Sequence, residues 1–79
     1  MSERPLKSVL GSQVRALRQE RGLTQERLAE ELGVTPRYLA GTERGERNLT
    51  LDSVDSLAGQ LGVPAQSLLI EDATTSTQP

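Results

Sequence analysis

The chain has no cysteine, no histidine, no phenylalanine and no tryptophan, and a single tyrosine among its 79 residues. Without thiols or imidazoles there is no disulfide framework, no thiolate or imidazole metal site, and no nucleophile leaning on a histidine base. Nor is there a glycine-rich loop of the kind that cradles phosphates, so the chain reads as a non-enzyme with no cofactor and no metal. Apolar runs are short as well. Nothing approaches the roughly 20 residues of a membrane span, and the opening MSERPLKSVLGS carries no apolar stretch of signal-peptide length. The expected setting is the cytoplasm, with no membrane partner. An excess of positive charge is also missing: eleven Asp plus Glu stand against nine Lys plus Arg, a net charge of -2. That balance speaks mildly against a nucleic-acid partner for the chain as a whole and leaves local distribution to decide.

What remains is a chain whose core must be built from Leu, Val, Ala and Ile, which suits small packed helices. Its length is that of one domain, near the lower limit at which a single core holds a fold without staples. One spacing recurs: Leu23 and Leu28 around Thr24, Val34 and Leu39 around Thr35, Leu49 and Val54 around Thr50, and Val63 and Leu68 around Pro64. With Thr as N-cap, the first apolar residue of each pair precedes the cap and the second falls one turn inside, forming a hydrophobic staple. Gly22, Gly33, Gly45 and Gly62 sit where the apolar patterns end, as helix-stopping glycines do. Pro36, directly after Thr35, takes the first helical position, where a missing N–H costs nothing. The start of the chain has no clear cap, but Leu10, Val14 and Leu17 recur at i, i+4 and i+7 and put one apolar stripe on a helix. The expectation is an all-α, compact five-helix fold with helices at 7–21, 25–32, 36–44, 51–61 and 65–70. Residues 1–6 are expected to be a flexible lead, 7–70 the domain, and 71–79, rich in Thr, Ser and Pro, a disordered tail.

Helices two and three are joined only by Gly33, Val34 and Thr35, too short a link for antiparallel packing and suited to the sharp crossing of a helix-turn-helix. Stepping about 100° per residue from Arg37 puts Gly41 near about 40° and Arg44 near about -20°, with Leu39 and Thr42 on the opposite, core side. The outward face is therefore Arg, Gly, Arg. Three of the nine basic residues, Arg37, Arg44 and Arg47, fall between Val34 and Asn48. The Arg37 guanidinium has the shape to grip guanine O6 and N7; the other readings are a phosphate contact or a solvated arginine. Tyr38, at about 100° on the same wheel, lies on the flank, where its ring can pack at the core edge or its hydroxyl can reach a phosphate.

RALRQERGLTQERLAEELGV followed by TPRYLAGTERGERNLTLDSVDSLAGQLGVP resembles the Cro and C1-type, or XRE, helix-turn-helix regulators from about Gly11 to Leu69. GLTQERLAEELGV and ERGERN are its most specific parts, with a particular likeness to the small controller proteins of restriction-modification systems. The resemblance implies a lambda-repressor-like DNA-binding fold with the helix-turn-helix at helices two and three. It implies base readout at Arg37, with Thr35 and Pro36 beside it. Phosphate contacts are implied at Gln25, which starts helix two where a helix N-terminus favours an anion, at Tyr38, and in the loop at Arg44, Arg47 and Asn48. Arg18 and Glu43 match a pair that bridges helix one to the end of helix three. If that bridge forms, Arg37, Arg44 and Arg47 are opposed only by Glu46, and the face is locally positive. Two residues depart from the family pattern. Gly41 stands where many relatives carry a polar base-reader, which suggests reading concentrated at the helix start with DNA close over Gly41. Thr42 stands where an apolar residue is usual, which suggests slightly weakened packing.

One such module reads few base pairs, so the partner is expected to be double-stranded DNA, bound in the nucleoid by a homodimer on paired half-sites. Leu61, Val63, Leu69 and Ile70, surplus to the staples, are assigned to the dimer interface, the other reading being that they close the small core. The expected function is a sequence-specific transcription regulator, autoregulatory in the simplest case, with no small-molecule ligand. A second class is an antitoxin or other protein-binding module that also binds DNA.

Overall fold

The computed structural model describes residues 4–71. The expected tail lies outside the described residues from Asp72 onward, as do residues 1–3 of the expected lead. Four α-helices follow one another, α1 (Leu6–Glu20), α2 (Gln25–Leu32), α3 (Pro36–Glu43) and α4 (Leu51–Leu61), and a 3-10 turn, Ala65–Leu69, closes the described chain. No strand occurs among the described residues.

The Thr caps form as side-chain chemistry demands. Thr24, Thr35 and Thr50 each accept, through the hydroxyl oxygen, the backbone N–H three residues on, at 3.0 Å in all three cases. Each staple then pins its helix: Leu28, Leu39, Val54 and Leu68 are buried, and Leu23, Val34, Leu49 and Val63 pack half-buried against them. At Gly33 a left-handed conformation, φ 74°, turns the chain out of α2 so abruptly that α3 begins two residues after Val34. A side chain there would be strained, so this glycine sets the sharp crossing.

The fifth helix is the correction. The segment expected as an α-helix at 65–70 is a five-residue 3-10 turn. Its entry differs from the other three: Pro64 provides no side-chain cap, its carbonyl accepts Ser67 N–H three residues on at 3.0 Å, and Ile70 is already extended. Five uncapped residues are too few to nucleate an α-helix, and the tighter i to i+3 pattern is the usual outcome at that length. At the other end, α1 starts at Leu6 with Pro5 preceding it, one residue earlier than expected.

The core joins Leu10 and Val14 of α1, Leu28, Ala29 and Leu32 of α2, Leu39 of α3, Val54, Ala58 and Leu61 of α4, and Leu68. Leu17 of the predicted α1 stripe packs against it half-buried. Helix α1 lies against α3 and the 3-10 turn, and α2 against α3. The α1 crossing is close because Gly11 has no side chain: a Cβ there would overlap the Thr42 carbonyl oxygen and come within 2.7 Å of that of Glu43. The end of α3 is thus seated directly on α1.

Candidate nucleic-acid interface

The amino-terminal turn of α3 is free. Thr35, Pro36 and Arg37 are exposed. Arg37 has no hydrogen-bond or ion-pair partner among the described residues, and the Thr35 oxygen is committed to the Tyr38 amide. An unpaired guanidinium on an exposed first turn keeps all five donors available to an external acceptor.

The carboxyl-terminal turn is the opposite. Glu43 has a side chain only 3% exposed, and its two oxygens receive Arg18 Nε at 2.7 Å, Arg18 Nη2 at 3.1 Å and Gln25 Nε2 at 3.0 Å. Arg18 also donates from Nη1 to the Leu23 carbonyl at 3.0 Å, so one guanidinium ties α1, the turn before α2 and the end of α3 together. Its pKa is raised, chiefly by the hydrogen bond to Glu43, against a smaller opposing effect of burial. Arg18 and Glu43, singled out in the sequence, do meet. The third member was not foreseen: the Gln25 amide, read as a phosphate donor, turns toward Glu43. Thr24 takes the Arg27 N–H, so what remains at the start of α2 for an anion is the Gln25 and Glu26 N–H groups and the helix dipole.

Arg44, expected on the outward face beside Arg37, ends α3 and is held by Glu46 through two bonds, Nε to Oε2 at 3.0 Å and Nη2 to Oε1 at 3.1 Å, both side chains 60% exposed. The Arg44 hydrogen bond is the main reason that Glu46 titrates below the ordinary carboxylate range, with the arginine's charge second. Because the pKa is lowered, the pairing is present above the ordinary value and is lost only as pH falls through the lowered one. Asn48 is exposed, and its side-chain carbonyl accepts Lys7 Nζ at 3.2 Å, which brings a cation from α1 to the loop.

Gly41 is not the open shallow spot that the helical wheel suggests. It is buried, because Arg47 from the loop lies across it, and a Cβ at Gly41 would stand 3.3 Å from Arg47 Nε. The Arg47 guanidinium carbon sits 4.6 Å from the centre of the Tyr38 ring. Tyr38 itself is half-buried at the rim of an open groove of about 240 Å³ that it shares with Leu49 and Leu57. Thr42 is buried at 3% exposure, and its hydroxyl donates to the Tyr38 carbonyl at 3.0 Å. The polar atom is satisfied by the preceding turn, which removes the reason to expect weakened packing at that position.

The apolar residues assigned to an interface divide. Leu61 is 2% exposed and belongs to the core, a correction that its own helix explains: Val54, Ala58 and Leu61 recur at i, i+4 and i+7 on one face of α4. Val63 and Leu69 pack half-buried against the core, and Ile70 is 55% exposed. Two apolar residues that were not singled out are the most exposed, Leu51 at 78% and Leu6 at 61%, and with Leu69 they line a shallow groove.

Comparison with known proteins agrees with this architecture. The helix-turn-helix family matches residues 14–68. The chain is similar to the immunity repressor protein of Bacillus phage phi105, 36% identical over 63 residues that make up 80% of this chain but only 44% of the repressor. It is similar to the control protein C.SmaI of Serratia marcescens, 36% identical over 73 residues, 92% of this chain and 87% of that protein. Among solved structures, it resembles the restriction-modification controller protein C.Esp1396I, a tetramer in complex with its natural 35 base-pair operator, at 33% identity and a TM-score of 0.69. That likeness covers 84% of this chain and 87% of the controller.

Proposed function

Because the chain belongs to the Cro/C1-type helix-turn-helix family of transcription regulators, we propose that it binds double-stranded DNA sequence-specifically and acts as a homodimer on paired half-sites. The observation that carries the reading is Arg37, unpaired on the exposed first turn of α3 while the other end of that helix is locked to α1 and α2. With α3 in the major groove, this guanidinium is presented to base edges, and guanine O6 and N7 match its donor pair. The free N–H groups at the start of α2, together with Arg44, Arg47 and Asn48, hold phosphates on either side and set the register. Gln25 supports that contact only through its backbone.

The dimer contact is assigned to the groove of Leu6, Leu51 and Leu69, where the two most exposed large apolar residues, Leu51 and Leu6, lie beside half-buried Leu69. Binding selection from a random duplex library should return a pseudo-palindrome whose halves lie about 34 Å apart, one helical turn. A monomeric footprint on a single asymmetric site would remove the dimer, and failure to enrich any sequence would remove sequence-specific binding.

A further inference from the structure

Gly41 is a costly residue in the middle of α3, since alanine there would favour the helix, and Arg47 is a costly side chain to hold still. The two meet. Arg47 runs over the bare backbone at Gly41, its Cγ, Nε and Cδ lying 3.5, 3.3 and 3.9 Å from where a Cβ would stand, and its guanidinium ends over the Tyr38 ring, 4.6 Å from the centre. Arg47 has no ion-pair partner among the described residues. Its seat is therefore made by a missing side chain below and one aromatic face, and the charge stays available.

We propose that Gly41 is a positioning residue for DNA binding: by presenting no side chain, it lets Arg47 of the following loop dock along α3, stacked on Tyr38, so that a phosphate-binding guanidinium is ordered before DNA arrives. The proposal rests on the DNA-binding reading above. Docking in the free protein removes part of the ordering cost that an unattached arginine incurs on binding, and the flat guanidinium face suits the ring in a way that a lysine ammonium does not. A methyl group at position 41 would stand 3.3 Å from Arg47 Nε, a crowding that this flexible side chain relieves by shifting a few tenths of an ångström, so Gly41→Ala folds and moves the arginine on the ring rather than the helix.

The test uses the full chain and two readouts. Tyr38 is the sole aromatic residue, so any ring-current shift of the Arg47 side-chain protons reports this stack alone. Gly41→Ala is expected to melt at or above the wild-type temperature, to reduce the shift, and to bind a random-sequence duplex at low salt roughly twofold more weakly. In an Arg47→Ala background the same substitution should change affinity by nothing further, and Arg47→Lys should lose the ring-current shift while keeping the salt dependence. An unchanged shift in Gly41→Ala, unimpaired binding by that variant, or an equal loss with and without Arg47 would each overturn the role of Gly41. A wild-type chain that shows the stack but binds no duplex would instead overturn the DNA-binding reading beneath it.

Discussion

The two ends of α3 lie only one and a half to two turns apart, yet they are chemically opposite. At the amino end, Thr35, Pro36 and Arg37 are exposed and the arginine has no partner among the described residues. At the carboxyl end, both Glu43 oxygens are committed to Arg18 and Gln25, and Gly11 lets α1 pass close against the Thr42 and Glu43 carbonyls. An eight-residue helix is too short to hold its own direction and takes it from tertiary contacts. Anchoring one end to both α1 and α2 fixes the angle at which the other end stands out, and the anchored charges are committed within the protein. On the proposed DNA-binding reading, exposure without a partner assigns the amino end to reading, and burial with every oxygen satisfied assigns the carboxyl end to mounting.

The strongest way to break this division is to remove the anchor. Glu43→Ala leaves the Arg18 guanidinium, whose side chain is only 13% exposed, without its counter-charge, and the expected loss is about 3 kcal/mol or more in urea unfolding. That is a large part of the stability of a domain this size. Glu43→Gln, which keeps the shape and an acceptor oxygen, should lose less. A Glu43→Ala midpoint within the range of ordinary surface substitutions would mean that α3 is held by apolar packing alone.

At the free end the expectation reverses. Arg37→Ala should leave the unfolding midpoint where it is and reduce discrimination at one base position by about 1 to 3 kcal/mol, read by competition among single-base variants of the selected site. Arg47→Ala should instead weaken all sequences alike and flatten the salt slope. If both variants lower affinity equally on every sequence, Arg37 contacts the backbone and the first turn is not the reading end.

How far the sequence carries the same distinction depends on the range of the interaction. The Thr24, Thr35 and Thr50 caps with their staples are contacts within one helical turn, and they place α2, α3 and α4 to within a residue or so. The Pro64 start looks alike by spacing but has no hydroxyl to accept an N–H, and the outcome is a 3-10 turn. Leu61 follows Val54 and Ala58 at i+7 and i+3 on the inner face of α4, and in a core this small no apolar residue of that face is surplus. Gln25 is different: it lies 18 residues from Glu43, and their meeting follows from the crossing of α2 and α3, which no local pattern encodes. Gly41 faces outward on a helical wheel and is buried only because the loop carrying Arg47 folds back over it. Contacts of a helix with itself are legible in the residues and the Arg18–Glu43 bridge through the family resemblance, whereas the Gln25 and Arg47 contacts, which cross between elements, are not.

Arg44 belongs to neither end, and it gives the comparison its finest test. Its guanidinium is exposed like Arg37 but paired like Arg18, through two bonds to Glu46, and both partners are open to solvent. A pair of that kind is weak and screened by salt, so a phosphate can displace the carboxylate, at the cost of separating the two charges. Glu46→Gln removes the competitor without removing the arginine. Its expected effect is the smallest of the series: up to about fivefold tighter binding to duplex DNA of any sequence at low salt, fading as salt is raised, with no change in the preferred site. Fluorescence anisotropy on a specific and a random duplex measures both affinities. Equal affinity of variant and wild type at low salt would put Arg44 with Arg18, as part of the mount. Tighter binding confined to the preferred site would make Arg44 a reader like Arg37.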